Sequence, residues 1–530
     1  MITKGLYNRV LLINPPGKVY VLPDGTPAHR KHCTPPLGLA YIAANLLQNG
    51  YEVHVMDILA EGYKNEIFKN QSIMYGLSTE DILARIETVK PDIIGISVLF
   101  SFLIMEVFEL CKTIKEIFPD IPIVLGGQHP SGAPEDVMKC EHVDFVIVAE
   151  ADQSMVLFLE SLNGRLSRYE VPNLYYRENG EIKNTLSSRI PVTKGMGWSY
   201  YNLKNAGIPN DIDKLPFPAW DIFPLEDYWN SEVRIGGGDV VRERHAVIIS
   251  TRGCPHACNF CTSPLMSGYR GYRMRKNEEV IREIRWLVSK YDVGEIAFLD
   301  DNFFVSKPRV KRLLKMIAEE FPNIYFHVPG GTEVNALDHE MIDLMAEAHF
   351  YKVQIAIEAA DQGVQNALID KKVKIDRVPE MIDYLKSKGI ETRALFMIGF
   401  PGETRAQIQK TVDLAKSLDV DDFYISIVTP LPGTPVYDEC LQKGLFVDGF
   451  DVNKHRYSSA KIKLPDTTPD ELEKIRRDVW LEVFNEKRKK MQSIAGDRLR
   501  QFTDVRDYER AGFTSLSNIP KTVSQEEKKS

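Results

Sequence analysis

At 530 residues, with 44% hydrophobic and 26% charged side chains, the chain has the composition of a soluble globular protein and is too long for one core, so two or three domains are expected. A formal charge of −8 excludes a general polyelectrolyte attraction to nucleic acid or to an anionic membrane. Seven cysteines, three of them clustered, do not make a secreted disulfide framework, and the first residues show no leader-like apolar core; the expected compartment is the cytoplasm.

From residue 9 to about 164 apolar strands alternate with amphipathic helices. Strands are predicted at 10–14, 51–56, 93–98, 121–125 and 145–148, and helices at 37–48, 79–89, 106–117 and 135–139. This alternation predicts a parallel sheet covered on both faces, the doubly wound α/β arrangement, over residues 1–165. Ligands of such sheets sit beyond the carboxyl ends of the strands. The longest apolar run, 93–105, is too short to cross a bilayer and reads as a buried strand entering a helix. Residues 166–240 lose the rhythm and are rich in Pro, Asp and aromatics, which predicts a connector that packs against something. A second α/β series follows, with strands predicted at 246–251, 295–299, 324–328, 353–358, 392–398 and 423–428. Six βα units predict a partial (β/α)6 barrel over 241–465, its active face at the strand carboxyl ends. Residues 466–530 read as a charged helical region with a frayed tail.

Directly after the first strand of the second series, STRGCPHACNFCTSP places Cys254, Cys258 and Cys261 in C-x-x-x-C-x-x-C spacing. Three thiolates on one short loop can each take one iron of a cubane and leave the fourth iron without a protein ligand, free to bind and reduce a cofactor. A structural zinc site is the bland alternative; it wants four ligands, and His256 is the local candidate for the fourth. Downstream, Gly399, Pro401 and Gly402 allow a sharp turn and close approach to a ligand, and Thr404 can cap the next helix. Arg270, Arg273 and Arg275, interleaved with Tyr269 and Tyr272, could grip a carboxylate or phosphate or could simply be a solvated basic edge.

The cysteine spacing, with Phe260 at the aromatic position, resembles the signature of radical S-adenosyl-L-methionine (SAM) enzymes. The likeness runs through most of residues 246–435: AFLDDNFFV (297–305), VQIAIEAA (353–360), MIGFPGET (397–404) and TPLPGTPVY (429–437) are similar to the second-, fourth-, fifth- and sixth-strand regions of one subfamily. The resemblance implies a 4Fe-4S cluster on the three cysteines and SAM beside Phe260, Glu358, Gly399 and Gly402. On residue chemistry alone, Glu358 is equally plausible as the partner of an internal lysine.

The first domain resembles a cobalamin-binding fold. Members with a histidine on cobalt carry D-x-H-x-x-G, S-x-L and G-G in order; this chain has Asp57-Ile-Leu59-Ala-Glu-Gly62, Ser97-Val-Leu99 and Gly126-Gly127. Leu59 stands at the histidine position, which implies a cobalt lower face without imidazole. Ser97, Leu99, Gly126, Gly127 and His129 are the expected cobalamin contacts, His129 not as a cobalt ligand. Where relatives often show Gly-Glu-Gly-Glu, the chain has Ala149-Glu150-Ala151-Asp152. Cys33, Cys111 and Cys140 are too scattered for a second cluster, and the loop His29–Cys33 reads as polar rather than metal-binding.

Together the resemblances imply a cobalamin-dependent radical SAM methyltransferase acting on an unactivated carbon or phosphorus of a small molecule or peptide, with flavodoxin or ferredoxin as reductant. The rivals are a rearrangement or cyclisation with the same cofactors, and a non-catalytic cobalamin or iron–sulfur sensor. Neither a nucleic-acid nor a membrane partner is expected.

Overall fold

Apolar runs of three to six residues, unbroken by polar alternation, form strands when both faces of a sheet are covered. The computed structural model describes residues 6–21, 31–186, 189–193, 196–201, 209, 211–231, 240–256, 258–267, 271–452 and 457–495. In the amino-terminal half the strands Arg9–Asn14, Glu52–Asp57, Ile93–Ser97, Ile123–Gly126 and Phe145–Ile147 are parallel. Their spatial order places the second strand on one side of the first and the third, fourth and fifth on the other. The order reverses between Arg9–Asn14 and Ile93–Ser97, so the crevice where such sheets take ligands opens beyond Asn14 and Ser97. Helices Leu37–Gln48, Thr79–Val89 and Ile104–Ile117 fall where hydrophobic periodicity puts them, the second capped by Ser78.

The sheet continues past residue 165. Leu174–Glu178 and Glu181–Asn184 add two antiparallel strands beside Phe145–Ile147. Asn179 and Gly180, at φ 53° and 81°, make the tight turn between them. A small antiparallel sheet of Gly17–Tyr20, Ser72–Tyr75 and Glu66–Lys69 is a further feature absent from the expected pattern. Within the expected connector, residues 219–229 pack against both halves. Tyr228 is buried against Asp57, the Trp229 indole donates to the His245 carbonyl at 2.8 Å, and the Ala219 amide donates to the Ala40 carbonyl at 3.0 Å.

The second half is six parallel strands paired in chain order: His245–Ile248, Glu295–Phe298, Tyr325–Thr332, Phe350–Glu358, Glu391–Ile398 and Asp422–Ile427. Its first and last strands do not pair with each other, which makes it an open, partial barrel. Thr404 and Gln407 form a reciprocal capping box on helix Arg405–Ser417, as the sequence predicts. Helix Pro469–Ala495 returns across the last strand, burying Leu472, Val479 and Val483, and Arg476 donates to the Ile425 carbonyl at 3.0 Å. Among the described residues no helix is long and apolar enough to cross a membrane.

Candidate active site between the two sheets

The cluster loop leaves the first barrel strand through a two-residue antiparallel ladder, Thr251–Arg252 against Arg273–Met274. Between these stems Cys254, Cys258 and Cys261 are free, partly buried thiols. Three consecutive residues after the second barrel strand hold the loop. Asp300 accepts from the Ser250 amide at 2.9 Å and hydroxyl at 2.7 Å and from the Thr251 hydroxyl at 2.6 Å. Asp301 accepts from the Gly253 amide at 3.2 Å and the Ser263 hydroxyl at 2.7 Å, so it ties the two sides of the cysteine trio. The Asn302 amide nitrogen lies 3.9 Å from Cys254 Sγ, a sulfur-length hydrogen bond, while its Oδ1 is buried without a hydrogen-bond partner.

Burial lifts all three thiols, Cys254 to about 11, so bound iron must supply the charge that keeps them as thiolates. Among the described residues no three Cys, His, Asp or Glu donors gather around one point as a single zinc ion requires. A cubane does not need that convergence, because each thiolate binds a different iron. His256 is engaged elsewhere: its Nε2 lies 2.7 Å from a Glu333 carboxylate oxygen. Three thiol donors on one loop, with His256 engaged on Glu333, suit a cluster that takes three sulfur ligands from this loop.

Of the two readings of Glu358, the structure shows the partner of an internal lysine. Glu358 lies beside Cys258, whose thiol feels its charge, and its carboxylate takes the buried Lys371 ammonium at 2.9 Å, with the Ala356 carbonyl accepting from the same nitrogen at 3.0 Å. Its φ of 64° is left-handed, at an irregularity in the pairing of its strand; such strain persists where surrounding structure enforces it. Phe260 packs edge-on against Phe400 with ring centres 5.9 Å apart, joining the cluster loop to the turn that carries Gly399 and Gly402. Glu403 holds that turn by accepting from the Gly399 and Phe400 amides at 2.6 and 3.0 Å.

On the other side stand the ends of the amino-terminal sheet. Ser97 pairs in register with Gly126, and the Val98 amide donates to the Gly126 carbonyl at 2.8 Å. Leu99 is 45% exposed. Gly127 has φ 100°, and a Cβ there would sit 2.8 Å from the Val98 carbonyl oxygen, so only glycine fits this cradle. His129 is buried with Nδ1 2.9 Å from the Ser101 hydroxyl, a structural hydrogen bond. Leu99, Phe100, Gln128 and His129 line one cavity with Thr262 of the cluster loop and Leu431 after the sixth barrel strand. Gln128 donates to Thr262, and a Cβ on Gly132 would fall 2.3 Å from the Pro432 carbonyl oxygen. The halves meet backbone to backbone here, and the half-exposed Leu99 forms part of the cavity wall.

Two expectations change. Asp57 to Gly62 follows the second strand, not the first strand at the crevice, and Leu59 is 7% exposed within the core. Asp57 is buried, accepting from Asn14 at 3.0 Å and from the Ala60 amide at 2.9 Å. Leu59 therefore does not face the ligand crevice, and it carries no statement about cobalt; chain order, with the crevice at the first strand, was the signal that separates the two. Arg273 and Arg275 are not ligand grips: Arg273 is buried on Glu150 and the Pro209 carbonyl, and Arg275 on Glu283. Tyr269, Arg270 and His29 lie outside the described residues. Arg252, which the sequence did not single out, is buried and paired with both Glu150 and Asp152.

The model of the radical SAM superfamily matches residues 248–415 and that of the B12 binding domain matches residues 25–159. The chain is 32% identical, over 87% of its length and 86% of the relative's, to cytidylyl-2-hydroxyethylphosphonate methyltransferase of Streptomyces wedmorensis. It is 25% identical to the anaerobic magnesium-protoporphyrin IX monomethyl ester cyclase of Rubrivivax gelatinosus, over 81% of this chain and 70% of that one. The fold is similar to that of the radical SAM methyltransferase TsrM from Kitasatospora setae with cobalamin and a 4Fe-4S cluster bound, with a TM-score of 0.66 at 16% identity, covering 90% of this chain and 88% of that one. Two sheets joined in this order define a cobalamin-binding radical SAM protein. The chain belongs to the radical SAM superfamily, in its cobalamin-dependent methyltransferase branch.

Proposed function

We propose that the chain methylates an unactivated carbon, or phosphorus, of a small-molecule substrate held in the crevice between the two sheets. The observation that carries this reading is the shared wall: Leu99, Gln128 and His129 from the carboxyl end of one sheet meet Thr262 of the cluster loop and Leu431 of the barrel around a single cavity. When bound, the cluster with SAM supplies one-electron reduction and hydrogen-atom abstraction, and cobalamin supplies a methyl carrier. The protein's own part is placement. Cys254, Cys258 and Cys261 hold the cluster, and Asp300 and Asp301 fix the loop they stand on. Glu358, steadied by Lys371, Phe260, and the Gly399–Gly402 turn, steadied by Glu403, form the SAM side. Ser97, Leu99, Gly126, Gly127 and His129 form the cobalamin side. A flavodoxin or ferredoxin is the proposed electron donor.

The test uses anaerobically reconstituted, reduced protein with methyl-labelled SAM. The nucleotide-linked hydroxyethylphosphonate in the name of the Streptomyces wedmorensis relative is the first substrate to offer. Label in the product is the expected result. SAM consumption with an unlabelled, rearranged product would overturn methyl transfer in favour of the cyclisation chemistry that the more distant cyclase relative's name describes.

A further inference from the structure

Two arginines face each other across the stem of the cluster loop, Arg252 on one strand and Arg273 directly opposite on the other. Like charges opposed in an antiparallel ladder push the strands apart. Both guanidinium groups are buried, with side chains only 11% and 6% exposed. Arginine does not shed its proton in a protein, so the charge must be compensated. The compensation comes from the other domain. Glu150 accepts from Arg252 at 2.8 Å and from Arg273 with both oxygens, one of them at 3.1 Å. Asp152 takes the Arg252 fork at 2.7 and 3.1 Å. The Arg252 guanidinium also lies 4.8 Å from the ring centre of Tyr41, on helix Leu37–Gln48. The acids stand in the turn after Phe145–Ile147, where Ala149 has φ 62°, a left-handed conformation that alanine avoids. The backbone thus holds a strained turn where the acids are presented.

We propose that Glu150 and Asp152 clamp the stem of the cluster loop from the cobalamin-binding domain and thereby fix the cluster relative to cobalamin. Glu150, Asp152, Arg252 and Arg273 are positioning residues. Arg252 lies two residues before Cys254, and Arg273 is its cross-strand partner. Removing an acid leaves a buried guanidinium uncompensated; the stem relieves it by opening or by admitting water, and either displaces Cys254. The proposal rests on both cofactors being bound as proposed above.

The experiment measures the separation of the cofactors without any substrate. The holoprotein is prepared with its cluster reduced and its cobalamin in the Co(II) state, so that both are paramagnetic, and their dipolar interaction is read by pulsed EPR. Wild type should give one narrow splitting. Asp152→Asn, and Arg252→Lys, which keeps the charge and loses the fork, should lose that splitting to a broad distribution while iron and cobalamin contents stay at wild-type levels. If Arg252→Lys fails to fold, Asp152→Asn and Glu150→Gln carry the measurement. Arg285→Gln, which breaks only the exposed pair with Glu320, should leave the splitting unchanged. An unaltered splitting in the fully loaded acid variants overturns the clamp and leaves the functional reading standing; so does an equal broadening in Arg285→Gln, which would make the effect nonspecific. A wild-type protein that takes up only one of the cofactors overturns both.

Discussion

Asn302 and Asp57 show what single residues contribute and how far each was legible. The DDNF run was singled out by resemblance, but only the structure shows the work divided, with two carboxylates holding the loop backbone and the amide turned to Cys254 Sγ. A donor aimed at a cluster thiolate favours the more negative, reduced state. Asn302→Leu should therefore lower the cluster's midpoint potential by roughly 40 mV, the one-electron equivalent of a hydrogen bond worth about 1 kcal/mol. A redox titration followed by EPR checks it, and an unchanged or raised potential counts against the bond. Asp57 is a position the sequence misassigned, although the strand predicted at 51–56 already placed it after the second strand while the crevice lies at the first. Burial pushes its carboxyl up from 3.8 to about 6, despite the hydrogen bonds from Tyr228, Ala60 and Asn14. A folded-state value above the unfolded one means that stability is fully present below about 4 and is lost as pH rises through about 6. The loss is up to ~3 kcal/mol on the scale of 1.36 kcal/mol per pKa unit. Denaturant melts between those limits should show this decline in wild type and a flatter profile in Asp57→Asn.

At the scale of elements, the parallel strands were legible because burial on both faces leaves a continuous apolar run. The small sheet was not, because its strands are four residues long and Glu66–Lys69 is exposed throughout. The hairpin Leu174–Asn184 escaped for a related reason: YYRENGEIKN mixes charge with aromatics, and half of it lies on the sheet's outer edge. The joint between helix Gln128–Gly132 and the loop after the sixth barrel strand was invisible in sequence, since it depends on residues about three hundred positions apart meeting without side chains. Gly132→Ala puts a methyl group against the Pro432 carbonyl, which cannot rotate away. We expect it to pry the halves apart and to weaken cobalamin retention several-fold at a cost of about 1–3 kcal/mol. Cobalamin absorbance retained through gel filtration measures it, and full retention would show that the joint yields cheaply.

For the whole molecule, composition and strand rhythm predicted two α/β bodies in the observed order, and the cysteine spacing marked the loop between their facing ends. What sequence did not locate was the seam, because contacts across it join residues distant along the chain. The seam also bears on where the chain can be cut. A fragment ending at residue 165 lacks the two antiparallel strands and leaves Phe145–Ile147 as an unpaired edge, with Tyr175 and Tyr176 no longer covering the core. Such edges template aggregation. Expressed alone, residues 1–165 should be largely insoluble and residues 1–186 markedly less so; equal solubility would show that the added strands are dispensable. The opposed arginines carry one consequence for biogenesis. Glu150 precedes Arg252 by about 100 residues, and domains fold from the amino terminus as they leave the ribosome. The acids thus leave the ribosome well before the arginines, and the stem of the cysteine loop closes onto a sheet whose strands have already been made.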